Sequence, residues 1–563
     1  MIINTENSNN GRFYRNKLYM DFIFDFQKLG DYFNHDYREI KSYKKRMAEI
    51  EKYYDDDQRK GVVEILNDYN SRFGAGRKTL DNIRKLSESG TVVIVGGQQP
   101  GLFTGPLFII YKIITILKLS SFINKETGIR TVPCFWNASD DSSIGQANSI
   151  GLITDELKKV KIDTSNIKKN ARFSNIYIER EKYTKVIEDI RSLLAETDFS
   201  DEVTGLLKGS IADRYTDPLE DNRINLPELF SDIILNLFSE YGIVLIDPSD
   251  DRLKKMGKRF LKEDLEKCAS IKETVNTRGD ELERAGYQRQ LDIKQDTLNH
   301  FLNVAGIREK IECLPEMYYR VKDKIYSKKE LICKSGEDPG LFSWNVVMRP
   351  VIQDTLFPVL ATICGPGEVS YFAQISGVYG LMDVRLPVIY PRFSATIIER
   401  NIEKIINKFK SIDKLLETNR EQAIKRSLND SGNISIEDLV GDLEKKLEGV
   451  FGAFEKEVSL AGLNVGNSSD RIKRNIKKEI SVLKGKIYSE LKKENQWLEN
   501  ALNRFYLNLF PGGGLQEREV NFFYYANKYG IGIMDGLYDS FNPFDFKHKL
   551  LFLNQGGKNG KNS

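Results

Sequence analysis

VVIVGGQQPGLFTGPLFIIYK, residues 92–112, is an apolar strand running into a glycine-rich turn, with a helix starting directly after it. Val92 to Val95 are four consecutive β-branched residues, the pattern of a strand buried on both faces in a parallel sheet flanked by helices. Gly96, Gly97, Gly101 and Gly105 remove Cβ bulk where backbone must bend or approach a ligand. Pro106 suits the first helical position, and the helix expected from Leu107 to about Ile123 would offer free N–H groups to an anion. Gln98, Gln99 and Thr104 add polar side chains, and Lys112 lies two turns along. The spacing is neither a dinucleotide fingerprint nor a P-loop. Two readings stay open: a ligand-binding turn, or a structural strand-to-helix turn.

The 563 residues can bury a large core and should divide into several units. Lys and Arg number 84 against 81 Asp and Glu, too even a balance to imply a nucleic-acid or membrane surface. No apolar run reaches a membrane span and the first residues lack a signal peptide's apolar stretch, so a cytoplasmic location is expected. The five cysteines form no C-x-x-C pair, which argues against structural zinc and a disulfide framework, and Cys134 and Cys364 read as buried small hydrophobes.

Further strand-like runs end at polar or glycine residues. Thr131–Trp136 leads into Asn137, Ser139, Asp140 and Asp141; Ile243–Ile246 into Asp247; Val359–Cys364 into Gly365, Gly367 and Glu368; Leu386–Tyr390 into Arg392 and Ser394. In an open parallel sheet these loops converge beyond the carboxyl ends of the strands, where ligands bind. Asp140 or Asp141 would hold a substrate amine or a magnesium ion, or else cap a turn, and Glu368 is the second candidate carboxylate, with Tyr371 and Gln374 further along its helix. Lys112, Arg349 and Arg392 are the cations to set against phosphate or carboxylate. His35, His300 and His548 have no evident Ser or Cys partner, so a nucleophilic triad is not expected.

Residues 398–507 differ in kind. Ile398, Ile402, Ile405, Phe409, Ile412 and Leu416 alternate spacings of four and three, the seam of a coiled coil, and two more helical series follow, from Leu439 to Val458 and from Ile472 to Leu502. Breaks at Ser431-Gly432-Asn433 and Gly462 to Ser469 separate them, giving a helical hairpin or three-helix projection. An apolar seam too large for the projection to bury would pair with a second copy.

GGQQPGLFTGPL at 96–107, VPCFWNASDD at 132–141, RPVIQD at 349–354, GPGEVSYFAQ at 365–374, PRFSATIIE at 391–399 and LQER at 515–518 resemble, in order, motifs of the BshC family of bacillithiol biosynthesis. The resemblance implies an α/β fold: a Rossmann-like doubly wound core resembling class I aminoacyl-tRNA synthetases, with connecting insertions and an α-helical coiled-coil domain that mediates a homodimer. It implies an ATP-dependent ligase, with magnesium as a second candidate cofactor, that joins cysteine to an amino-sugar malate conjugate, glucosaminyl-malate. Gln98, Gln99, Thr104, Gly105 and Lys112 would then lie at the nucleotide or substrate pocket, and Asp140, Asp141 and Asn148 at the adjacent strand end. Gln353, Gly365, Gly367, Glu368, Tyr371, Gln374, Arg392 and Ser394 would close the other side, with Asp140, Asp141, Asn148 and Glu368 as the catalytic set and no resident metal ligands. One departure stands out: the family's two histidines after this strand are replaced by Ser142 and Ser149, with Ser143 beside the first. The alternative reading is therefore a catalytically impaired nucleotide-binding relative acting as a sensor or assembly partner.

The implied division is an N-terminal helical segment packing on the core (1–85), the first part of the core (86–150), a connecting insertion (151–225), a core strand and helix (226–260), a second insertion (261–340), the second part of the core (341–397), the coiled-coil domain (398–507), a C-terminal return to the core (508–555) and a disordered tail (556–563).

Overall fold

The β-branched runs become one five-stranded parallel sheet, built from β1 (Val92–Gln98), β2 (Thr131–Asn137), β3 (Val244–Ile246), β4 (Val359–Cys364) and β5 (Val388–Pro391). The computed structural model describes residues 2–8, 11–142, 144–209, 216–217, 220–293, 296–409, 412–416, 419–431, 435–464 and 466–554. Ser143, the Gly432-Asn433 break and the 556–563 tail lie outside the described residues. The strands are ordered β5-β4-β1-β2-β3. The chain therefore winds outward from β1 to β3, then restarts on the other side of β1 with β4 and β5. This is the doubly wound arrangement, and its switch point lies between β1 and β4.

Helix α1 (Leu107–Thr127) joins β1 to β2 and buries Ile109, Ile110, Ile113, Ile114 and Ile116. It alone among the described helices is long and apolar enough to cross a membrane, and it is mostly buried in the core. On the other side of the switch point, α4 (Pro366–Leu381) joins β4 to β5. Pro366 begins α4, and Glu368 closes a capping box by accepting from the Gly365 N–H at 2.7 Å.

The N-terminal segment does not open as a helix. Ile2–Ser8 is a strand, paired antiparallel with His548–Asn554 from the far end of the chain. Nothing local in IINTENS demands a strand; the distant partner supplies it. Between β3 and β4 the chain forms a long helix, α2 (Arg259–Arg284), an antiparallel sheet that includes Thr297–Val304, Ile307–Cys313 and Phe342–Trp344, and a short helix, α3 (Met348–Leu356). These share a small core of their own, with Leu261, Leu265, Leu298, Ile311 and Phe342.

Residues Ile398–Phe510 form a separate compact unit. The expected seam from Ile398 to Leu416 is not one helix. Ile398 ends a strand, Arg400–Lys408 is helical, and a second short helix runs from Ile412 to Leu416. Hydrophobic spacing carried across a helix break cannot reveal the break. The long pair is Ile436–Leu460 against Gly466–Glu494, antiparallel by its ion pairs: Lys484 with Glu437, Lys477 with Glu448 and Lys473 with Glu455. Leu439, Val450, Phe454, Leu460, Leu463 and Leu483 stay exposed on this hairpin.

Candidate active site

At the switch point the carboxyl ends of β1, β2 and β4 open into a cavity of about 540 Å³. Gly97 and Gln98 line it from β1, Trp136 and the loop with Asp140 and Asp141 from β2, and Gly365, Gly367, Glu368 and Tyr371 from β4 and α4. A Cβ on Gly97 would meet the Trp136 Cβ at 2.9 Å, so glycine lets β1 and β2 pack closely beneath the opening.

Lys112 is the buried charge of this floor. Its ammonium donates to the Gly97 carbonyl and to Glu368 Oε2, both at 2.7 Å, and to Gln98 Oε1 at 3.3 Å. Burial pulls its pKa below the usual lysine value despite the carboxylate beside it. On the β2 side, Asp140 is buried between Arg172, 2.5 Å away, and Lys254. Burial would raise its pKa, but the two cations outweigh that and hold it below the ordinary value. One carboxylate serves two cations, so Lys254 is left short, and burial depresses it to about 8. Both oxygens of Asp140 are committed, which suits it to hold the floor and leaves it unsuited to accept a proton.

Asp141 is different. It receives a hydrogen bond from Gln99, lies 3.4 Å from Arg308, and its side chain is 36% exposed. Arg308 and Phe301 come from the second insertion and, with Trp344 and Asn345 just after it, form the far wall. Arg308 also donates to the Ser343 hydroxyl and the Trp344 carbonyl, so it fastens that wall.

Five cations line the cavity, Lys112, Arg308, Arg349, Arg392 and Arg518, against three carboxylates, Asp140, Asp141 and Glu368. Lys112 pairs with Glu368, Arg308 with Asp141, and Arg392 with Glu517 at 2.6 Å behind the wall. Arg349 donates to the Tyr371 hydroxyl at 2.9 Å and contacts Gln353 Oε1 at 3.4 Å. Among the described residues, neither Arg349 nor Arg518 has a carboxylate partner. The cavity thus presents two uncompensated guanidinium groups, a site for anions.

Several expected residues lie elsewhere. Thr104 and Gly105 are buried under the C-terminal segment: Asn521 Nδ2 donates to the Phe103 and Gly105 carbonyls, both at 2.6 Å, and the Leu107 N–H donates to Val520 O at 2.9 Å. Pro106 caps α1 from the position before its first helical residue. The turn is therefore structural, and the anion cradle expected at its helix start is occupied by the chain itself. Asn148 bonds Thr164 beside a β-hairpin, away from the cavity. Gln374 is fully buried and clamps the 290–291 backbone, receiving both N–H groups, while Gln353 sits behind Arg349. Ser394 is not in the lining either. Its hydroxyl donates to Glu517 and lies 2.7 Å from His548 Nδ1, so a serine partner for His548 exists after all. Burial depresses His548 to about 4, Thr396 occupies its Nε2, and Phe13 stacks on the ring, which leaves no access for a substrate.

Sequence reasoning missed Arg308, Trp344 and Asn345, which no local signal marks, and gave no role to Arg518 although it ends the LQER motif; distant segments bring all four to the rim. Ser142 borders a second cavity of about 440 Å³ that shares Phe301 and Arg308 with the first. Ser149 pairs with Lys161 in the hairpin Ser149–Ile153/Leu157–Lys161. The donor set does not fit a divalent cation. Asp140 is neutralised twice over, Asp141 and Glu368 each face a cation, and no group of three His, Cys, Asp or Glu side chains among the described residues could hold a metal ion.

Comparison with known proteins agrees with this architecture. Relatives named "Putative cysteine ligase BshC" include those of Salinibacter ruber, 27% identical over 95% of this chain and 96% of the relative, and Desulforamulus reducens, 29% identical over 94% and 96%. That of Geobacillus thermodenitrificans is 28% identical over 88% and 90%. The family descriptions "Bacillithiol biosynthesis BshC, N-terminal Rossmann-like domain" and "Bacillithiol biosynthesis BshC, C-terminal coiled-coil domain" match residues 3–393 and 395–553, so the chain belongs to the BshC family.

Proposed function

We propose that this protein is a cytoplasmic cysteine ligase that forms an amide between L-cysteine and glucosaminyl-malate, with ATP as cosubstrate. The observation that carries the reading is the pair of uncompensated guanidinium groups, Arg349 and Arg518, in a cavity at the switch point of a doubly wound sheet. Joining a carboxylate to an amine requires activation of the carboxylate, and ATP supplies it. Arg349 and Arg518 bind the anionic groups of the substrates, Tyr371 keeps the Arg349 fork in place, and Trp344 with Phe301 walls off water. Asp141, the lining carboxylate with the greatest freedom, orients the attacking amine and takes its proton. Lys112 and Glu368 neutralise one another under the site, so that pair adds no net charge. The likeness to class I aminoacyl-tRNA synthetases is part of this reading, as is a homodimer formed through the exposed apolar face of the 436–494 hairpin.

The test is to incubate the protein with cysteine, glucosaminyl-malate and ATP and follow the thiol product by mass spectrometry, beside thiol profiling of cells lacking the protein. Product should form, and Asp141→Asn should lower kcat by about a hundredfold or more, the range for loss of a general base starting there. Unchanged thiol content in the deleted strain would reject the assignment. One observation favours the non-catalytic alternative: among the described residues, no histidine lines the cavity. Tight ATP binding with no turnover would select it.

A further inference from the structure

Cys268 and Cys313 take no part in the reaction proposed above. Cys268 lies on the face of α2 that closes the insertion's small core with Leu261, Leu265 and Leu298, and Cys313, at the end of the strand Ile307–Cys313, packs against the same core. The two cysteines meet at consecutive carbonyls where the neighbouring strand begins: the Cys268 thiol donates to the Thr297 carbonyl at 3.6 Å, and the Cys313 N–H donates to the Asp296 carbonyl at 2.7 Å. The neighbouring Cys268 thiol brings Cys313 down to about 7 against the opposing effect of burial, while Cys313 and burial push Cys268 up. Cys313 is partly exposed and Cys268 is buried beneath it. The other cysteines are unlike them: Cys134 and Cys364 are enclosed in β2 and β4, and Cys333 is exposed with Glu337 beside it.

We propose that Cys268 and Cys313 form a dithiol oxidation site, closed to a disulfide by low-molecular-weight disulfides. The Cys313 thiolate attacks one sulfur of the small disulfide; the S–S bond breaks and one small thiolate leaves. Cys268 then attacks the Cys313 sulfur of the mixed disulfide and expels the second small thiolate. The protons of the two protein thiols go to the two leaving thiolates. The protein dithiol is oxidised by two electrons, and one small disulfide is reduced to two thiols.

Acidity alone does not make the site. At pH 7.5 a thiol titrating near 7 carries about eightfold more thiolate than an ordinary cysteine, but its lower basicity takes back roughly fivefold in nucleophilicity. The second thiol in the same small core is what sets the pair apart, since the closing step is then intramolecular. Closure would act on the cavity. The strand ending at Cys313 carries Arg308, and α2 packs on α4, where Gln374 Nε2 contacts the Val275 carbonyl at 3.4 Å. The bridge therefore ties the Arg308 wall to the helix bearing Glu368 and Tyr371. The site itself rests on no assumption about the reaction.

The experiment treats the full-length protein with hydroxyethyl disulfide, quenches with acid, and maps the digest by mass spectrometry. The peptides containing Cys268 and Cys313 should appear joined and lighter by two hydrogens, while Cys333 carries only the mixed disulfide. In Cys268→Val, the mixed disulfide should accumulate on Cys313. A stable mixed disulfide on Cys313 of the unaltered protein, with Cys268 free, would overturn the proposal, as would modification of Cys333 with Cys313 untouched. Alkylation by iodoacetamide gives a second readout in the unaltered protein: Cys313 should reach half its maximal rate near pH 7, well below Cys333. Coincident profiles would equally overturn the assignment.

Discussion

Replacing Asp140 by Asn should melt the core early, whereas the same change one residue on should barely affect it. The Asp140 side chain is 10% exposed, between Arg172 at 6% and Lys254 at 1%. Neutralising it strands two buried cations, and removing one partner from a buried pair costs about 3–5 kcal/mol. Unfolding entropy of about 2.1 cal/mol/K per residue over a unit of roughly 450 residues makes each degree worth ~1 kcal/mol, so Tm should fall by about 3–5 °C. Asp141, more than a third exposed and 3.4 Å from Arg308, should cost under about 1 kcal/mol when changed to Asn. Lys254 gives the pH signature. Its folded pKa, about 8, lies below the ordinary lysine value of 10.5, so the unfolded chain binds the proton more tightly in that window. Burying its charge costs stability below pH 8, and that cost fades as pH rises toward 10.5. The defect of Asp140→Asn should accordingly be larger at pH 7 than at pH 9.5. Scanning calorimetry at both pH values, at a fixed heating rate, measures it. Equal melting of the Asp140→Asn and Asp141→Asn proteins at pH 7 would refute the division into a floor carboxylate and a reacting one.

Gly105→Val should leave little soluble protein and no selective loss of nucleotide binding, because φ is +68° there and a Cβ would meet Ile109 Cδ1 at 2.8 Å; soluble yield and circular dichroism check it. Removing residues 400–503 and joining the ends with a short linker should leave a folded monomer, read by light scattering, since the exposed Leu439, Phe454 and Leu460 face goes with it. Asp354 is fully buried and raised to about 6 by burial, so the folded state holds its proton more tightly; its contribution is present below about pH 4 and is lost by up to about 3 kcal/mol as pH rises through 6. Asp354→Asn should flatten Tm between pH 4 and 6.

The sequence made the sheet legible because each parallel strand is a short β-branched run ending at glycine or a polar residue, a signal carried by neighbouring positions. The same logic located Glu368 and the Asp140 loop, which follow the carboxyl ends of β4 and β2 closely, and Lys112 on the helix after β1. It failed where a distant segment decides. Glycine spacing at 101–105 reads the same whether the helix start faces a phosphate or Asn521, more than 400 positions away. Asp140 and Asp141 look equivalent in sequence, yet Arg172 and Lys254 take one and leave the other to Arg308. The seam from Ile398 to Leu416 keeps its spacing across a helix end that the spacing does not encode.

The C-terminal cover over the glycine turn also sets the order in which the molecule can be finished during synthesis. When β5 leaves the ribosome every parallel strand exists, but the Leu107 N–H, the Phe103 and Gly105 carbonyls and the Arg392 guanidinium still lack Val520, Asn521 and Glu517. The whole 398–510 unit is made before those partners appear. The nascent core must therefore wait, its turn wetted and its cation unpaired, until some fifty final residues return to it. Arg518 reaches the cavity in the same movement, so closing the fold and completing the site are one event.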